Sequence, residues 1–117
     1  MKKVFYLKTC STNKRIMADK DLSDWQLREI KSQPITEKEL DEMYAKTQSY
    51  EALFSKKSTQ IKLLGIDVKT LSEDDFRKLI LQHYSFLKRP VFITEHHIFV
   101  GNDKNNLAQL DDYFSKK

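Results

Sequence analysis

The apolar positions of this chain fall into short runs and helical stripes separated by polar stretches. Val4-Phe5-Tyr6-Leu7 is a compact apolar and aromatic run of the kind that forms a buried strand. Thr9-Cys10-Ser11-Thr12 follows directly, and small hydroxyl residues favour helix starts. Asn13 to Lys20 then carries Ile16 and Met17 on a helical spacing, which places Cys10 at a strand-to-helix junction. Asp24 to Ile30 sets Trp25 and Leu27 against Gln26 and Arg28, an alternation that predicts a second strand, with Pro34 stopping it.

The middle of the chain is helical in pattern. Thr36-Glu37-Lys38-Glu39 is a capping box, and Leu40, Met43 and Tyr44 give the helix behind it an apolar stripe ending near Lys46. Ser49 to Leu53 predicts a short helix, Ser55-Lys56-Lys57-Ser58 a polar break, and the residues up to Leu64 a further turn or two capped by Gly65. Ser72-Glu73-Asp74-Asp75 opens another helix with acids in its first turn, and Phe76, Leu79, Ile80 and His83 are expected along one side of it. After the junction Leu87-Lys88-Arg89-Pro90, Val91 to Thr94 reads as a strand and Ile98 to Val100 as its hairpin partner across Glu95-His96-His97. A last helix from about Lys104 to Phe114 groups Leu107, Leu110, Tyr113 and Phe114. The order βαβ, helices, ββα is that of a thioredoxin-like α/β fold with a mixed four-stranded sheet. The expectation is one domain over 1–117 with a helical insertion at about 36–85.

Composition removes several function classes. The two glycines, Gly65 and Gly101, rule out a Gly-rich phosphate loop and a dinucleotide fingerprint. The single cysteine rules out an internal disulfide and a Cys-based zinc cluster. Lys and Arg number 21 against 17 Asp and Glu, a formal charge of +4. Part of that excess sits in the terminal pairs Lys2-Lys3 and Lys116-Lys117, and the middle of the chain mixes signs, so no direct nucleic-acid partner is expected. No apolar run approaches the ~18 residues of a membrane span, so no membrane partner is expected either. Lys2-Lys3 before Val4 resembles the start of an export signal, and Leu7 upstream of Cys10 resembles a lipoprotein site. Lys8 ends that run short of the roughly 7–15 apolar residues a signal core needs. A cytoplasmic location is therefore expected, where an unpaired cysteine stays reduced.

Cys10 is the sharpest chemical feature. A thiol at a helix N-terminus faces unsatisfied N–H groups that favour the thiolate, and Lys8, Lys14 and Arg15 add positive potential. The competing reading is an inert cysteine buried near a strand end. His96-His97 lies in a hairpin turn without a matching third or fourth ligand, so no metal is expected. His83 reads as a partly buried, satisfied histidine, Lys56-Lys57 as a solvated loop, and Asp74-Asp75 and Asp111-Asp112 as helix-terminal and surface charge.

The segment Phe5-Tyr6-Leu7-Lys8-Thr9-Cys10-Ser11-Thr12-Asn13-Lys14-Arg15 resembles the active-site loop of the arsenate reductase (ArsC)–Spx–YffB family. Leu87-Lys88-Arg89-Pro90-Val91-Phe92-Ile93 resembles that family's second signature, and Tyr50 to Phe54 and Leu63-Leu64-Gly65 match its middle segment. The resemblance implies a thioredoxin-like fold with a helical insertion and a cis peptide before Pro90. It assigns Cys10 and Arg89 as catalytic, and Ser11, Thr12, Asn13, Lys14 and Pro90 as substrate-binding. Two departures matter. Arsenate reductases of this family hold the oxyanion with three arginines, and Ser55 and Gly101 stand near two of those places. The Spx branch carries Cys-x-x-Cys, and Asn13 occupies the second position here.

The expectation is a single-cysteine thiol oxidoreductase of the YffB-like branch. It would bind no resident cofactor and would use an external thiol, glutathione or a glutaredoxin-like reductant, as co-substrate. The alternatives are a non-catalytic Spx-like regulator that binds RNA polymerase or another protein partner, and a weak arsenate reductase.

Overall fold

The computed structural model describes residues 1–116; Lys117, named above with Lys116, lies outside them. The elements are β1 (Lys2–Tyr6), α1 (Ser11–Ala18), β2 (Gln26–Glu29), α2 (Glu37–Thr47), α3 (Thr59–Leu63), α4 (Glu73–Gln82), β3 (Val91–Thr94), β4 (Ile98–Val100) and α5 (Lys104–Ser115). The four strands form one mixed sheet in the order β2-β1-β3-β4. β1 runs parallel to β2 and antiparallel to β3, and β3 and β4 form a hairpin. This is the thioredoxin-like α/β arrangement that the element order predicts. The chain divides into two compact units, Met1–Gln33 with the chain from Arg89 onward, and Pro34–Lys88.

In the sheet unit, register decides which side chains are buried together. Val4 pairs with Phe92 and Phe92 with Phe99, so these three share one face. Ile16 of α1 and Leu110 of α5 pack on that face with Trp25. Trp25 meets Phe92 edge-on with centroids 5.6 Å apart and stacks on Phe114 at 5.5 Å. Buried aromatic area of this kind contributes about 1.5–3 kcal/mol per side chain. Phe5 points to the opposite face, where its neighbours in register are Val91 and Arg28.

β2 departs from the alternation read in the sequence. Trp25 precedes the strand, in a turn closed by its N–H donating to the Leu22 carbonyl at 3.0 Å. Leu27 is 50% exposed on this edge strand, whereas Arg28 is buried. The reason is the reach of the arginine. Its guanidinium lies over the Phe5 ring at 5.6 Å, and Nη1 donates to the carbonyl and side-chain oxygens of Gln33, both at 3.2 Å. An apolar stem with a satisfied polar tip is compatible with burial.

The second unit is built from capped helices. In α2 the Glu39 amide donates to Thr36 Oγ1 at 3.1 Å and the Thr36 amide to Glu39 Oε1 at 3.0 Å, which is the predicted capping box. Ser72 and Asp75 form a second box at the start of α4. α3 is followed by Gly65 at φ +64°, a left-handed position that suits glycine. Leu40, Met43, Leu53, Phe54, Phe76, Ile80 and Phe86 are buried. Phe54 is central, 4.9 Å from the Phe76 ring and 5.4 Å from the Phe86 ring. The expected stripe on α4 stops short of His83. The helix ends at Gln82, and His83 is extended because its Nδ1 accepts from the Ser85 amide at 3.1 Å and caps the following turn, Tyr84–Phe86.

Arg77 of α4 ties to α2, with Nε donating to Asp41 at 3.1 Å and a terminal nitrogen to Glu37 at 3.3 Å. The Tyr50 hydroxyl donates to the same Asp41 at 2.7 Å. Hydrogen bonds from Arg77 and then Tyr50 hold the Asp41 carboxyl below its usual range.

Two outcomes test this packing by urea denaturation. Phe92→Ala should lose about 3–5 kcal/mol of stability, whereas Leu27→Ser should stay within about 0.5 kcal/mol. Arg77→Ala should cost about 0.5–1 kcal/mol at pH 7, the range of partly exposed ion pairs. Asp41 is more acidic folded than unfolded, so its contribution is complete above the unfolded value near 3.8 and disappears as pH falls through the folded one. The difference between Arg77→Ala and the native protein should shrink accordingly.

Candidate functional site

The sheet brings the sequence signatures to one end. Phe5 near the end of β1 pairs with Val91 at the start of β3. Tyr6 pairs with Glu29 at the end of β2, and Val91 with Val100 at the end of β4. The Leu7–Cys10 loop, Glu29, Arg89-Pro90 and Gly101 therefore all lie at the same end of the sheet.

Cys10 is half-buried and is the N-cap residue of α1, with extended backbone and no capping bond from its side chain. Its N–H donates to the Leu7 carbonyl at 3.2 Å, and its carbonyl accepts from Lys14 at 3.1 Å, the first rung of the helix. Among the described residues the amides of Ser11, Thr12 and Asn13 have no acceptor, as expected for a first turn. Ser11, Lys14 and Arg15 are exposed, and Thr12 is half-buried. Asn13 is only 1% exposed, and its Oδ1 accepts from the Leu7 amide at 2.9 Å. Its side-chain oxygen is thus committed to the loop.

A further residue supports the loop and was not singled out in the sequence. Glu29 accepts from the Lys8 amide at 2.9 Å through Oε2, and from the Ser32 amide at 2.7 Å and the Ser32 hydroxyl at 2.8 Å through Oε1. Burial alone would raise its carboxyl, but the amides of Lys8, Ser32 and Lys31 and the Ser32 hydroxyl together hold it below the usual carboxylate range. The available signal was an acid ending the strand beside a cysteine loop.

The Arg89-Pro90 peptide is cis. Arg89 is half-buried with its Nε shielded from solvent. Pro90 is buried, and its carbonyl accepts from the Gly101 amide at 2.9 Å. Gly101 sits at φ +87°, a conformation that other residues adopt only with strain. Asn106 braces this turn: its Nδ2 donates to the Gly101 carbonyl at 2.7 Å and its Oδ1 accepts from Val100 at 3.1 Å. Pro90 is therefore fixed from behind by β4 and α5.

The remaining candidates have partners of their own. Ser55 and Lys56 belong to the other unit, where Ser55 donates its amide to Phe86 and Lys56 pairs with Glu51 at 2.8 Å. The amides of His96 and His97 donate to Thr94 Oγ1, and the His97 ring packs against Tyr113 at 5.3 Å. Among the described residues no group of three or more His, Cys, Asp or Glu is placed to hold a metal, and no helix is long and apolar enough to cross a membrane.

Known proteins place this geometry. No curated protein matches the chain. Among solved structures, the YFFB protein is 20% identical with a TM-score of 0.72, covering 93% of this chain and 97% of its own. An arsenate reductase from Vibrio cholerae is 16% identical with a TM-score of 0.73, covering 95% of each chain. An arsenate reductase (ArsC) related protein from Brucella melitensis is 24% identical with a TM-score of 0.67, covering 97% of this chain and 93% of its own. The ArsC family model matches residues 5–110, which takes in both the cysteine loop and the cis-proline junction. By that match the chain is a member of the ArsC family.

Proposed function

We propose that the protein is a thiol oxidoreductase whose reactive group is Cys10 and whose turnover depends on an external thiol. The supporting observation is a half-buried cysteine at the N-cap of α1, beside three unpaired helix amides and at the sheet end that carries cis Arg89-Pro90. The Cys10 thiolate attacks one sulfur of a disulfide, the S–S bond breaks, and the departing thiolate takes up a proton. The product is a mixed disulfide on Cys10. With one cysteine in the chain, no second thiol of the same chain resolves it. A glutathione thiolate, or that of a glutaredoxin-like reductant, attacks the substrate-derived sulfur and releases Cys10 as thiolate. Ser11 to Asn13 form the first helical turn directly behind Cys10, and Arg89 attracts an anionic group of the substrate. Membership of the ArsC family supports this reading.

Treatment with oxidised glutathione, followed by mass spectrometry, tests it. The folded protein should gain one glutathione, and Cys10→Ser should gain none. A folded protein that gains none would overturn the glutathione-linked reading.

Arg89→Ala should slow formation of that adduct by about 10–100-fold, the equivalent of a charged hydrogen bond worth roughly 1.5–3 kcal/mol. An unchanged rate would leave Arg89 a structural residue. Arsenate should compete poorly with Cys10 alkylation, because Ser55 and Gly101 stand where the family's oxyanion site carries arginines, and Arg is the side chain that grips such anions bidentately. Tight competition by arsenate would move the assignment to an arsenate reductase.

A further inference from the structure

The loop that carries Cys10 has little regular structure of its own. β1 ends at Tyr6 and α1 begins at Ser11. Between them, backbone groups at three residues, Leu7, Lys8 and Cys10, are held by long-range or loop-closing bonds. The Leu7 amide goes to Asn13 Oδ1, the Leu7 carbonyl accepts from Cys10, and the Lys8 amide goes to Glu29 Oε2. Two of these three bonds stay within the loop and the first turn of α1. Only the bond from Lys8 ties the loop to another strand.

Glu29 suits that task. It ends β2 directly beside Tyr6, so its side chain reaches the loop one step beyond the pairing. Its other oxygen is anchored by the Ser32 amide and hydroxyl, which fixes the carboxylate from behind. A carboxylate accepts at both oxygens and donates at neither, so it serves the two sides at once. A glutamine would offer only one such oxygen.

We infer that Glu29 is a positioning residue for Cys10: its carboxylate, anchored at Ser32, holds the Lys8 amide and so keeps Cys10 at the N-cap of α1. Asn13 completes the arrangement from inside the helix by holding Leu7. When the Glu29 bond is lost, the loop loosens, Cys10 leaves the cap for part of the time, and its sulfur is no longer held in one place for attack. The inference rests on Cys10 being the reactive group and adds the residue that sets its reactivity.

The test compares Glu29→Ala, Glu29→Gln and Ser32→Ala with the native chain in three measurements at neutral pH. These are the rate of Cys10 reaction with oxidised glutathione, its rate with iodoacetamide, and hydrogen exchange of the Lys8 amide by NMR. Thermal melting identifies any variant that does not fold, and Glu29→Gln stands in if Glu29→Ala is lost that way. Both Glu29 variants should react about tenfold more slowly, the change that a lost charge-assisted hydrogen bond corresponds to. Their Lys8 amide should exchange faster. Ser32→Ala removes the hydroxyl bond to Oε1 but leaves the Ser32 amide and the bond to Lys8 in place, so its rates should fall between those of the native chain and Glu29→Ala. Equal rates and equal Lys8 exchange in the native and Glu29 variants would overturn the proposal, as would a Ser32→Ala rate below that of Glu29→Ala. Iodoacetamide separates the two readings. If no chain takes up glutathione but alkylation still slows in the Glu29 variants, the glutathione reading fails and the positioning role stands.

Discussion

The antiparallel pairing of β1 with β3 is the constraint on which the site depends. β1 is a central strand, flanked by β2 and β3, and its Val4 and Phe5 are almost completely buried on opposite faces. A slip of one residue would exchange those two side chains between faces, so the register is fixed by packing on both sides. With Phe5 opposite Val91, the chain leaving β1 and the chain entering β3 meet at one end of the sheet. Cys10 and Arg89 lie far apart in sequence, and this register is what brings them to a common end of the sheet.

Much of the fold was legible because its signals are local. Thr36 with Glu39, and Ser72 with Asp75, announce helix starts through side chains three residues apart, and both boxes form. The apolar run Val91 to Ile93 and the Thr94 that follows it are buried throughout, as an interior strand requires. What misled was β2 and the end of α4. An alternation of Trp25, Leu27, Gln26 and Arg28 carries no information about which residues lie outside the strand, or about whether an arginine finds an aromatic face and a carbonyl for its tip. The helical spacing that includes His83 likewise says nothing of the Ser85 amide that its ring captures.

The site divides in the same way. Cys10 and Arg89-Pro90 were legible as residue types at a junction and before a strand. Glu29 was not, since its partner Lys8 is on another element and the bond is made to backbone. Asn13 is the instructive case. Read along the chain, it is the place where a Cys-x-x-Cys pattern lacks its second thiol. In the fold its amide oxygen satisfies the buried Leu7 N–H, and a thiol in its place would offer sulfur, a weak acceptor. The residue that removes an internal disulfide also supplies a bond the loop uses.

The pairing of Lys2 with Thr94 has a consequence for how the molecule is made. Synthesis proceeds from the N-terminus, so the whole segment Pro34–Lys88 is complete as a contiguous piece before β3 exists. Until then the sheet consists of β1 and β2 alone, and a two-stranded sheet is marginal by itself. A nascent chain thus carries Cys10 without Arg89, Pro90 or the Gly101 turn until those later residues have been added. That end of the sheet is complete only once β3 and β4 have joined β1.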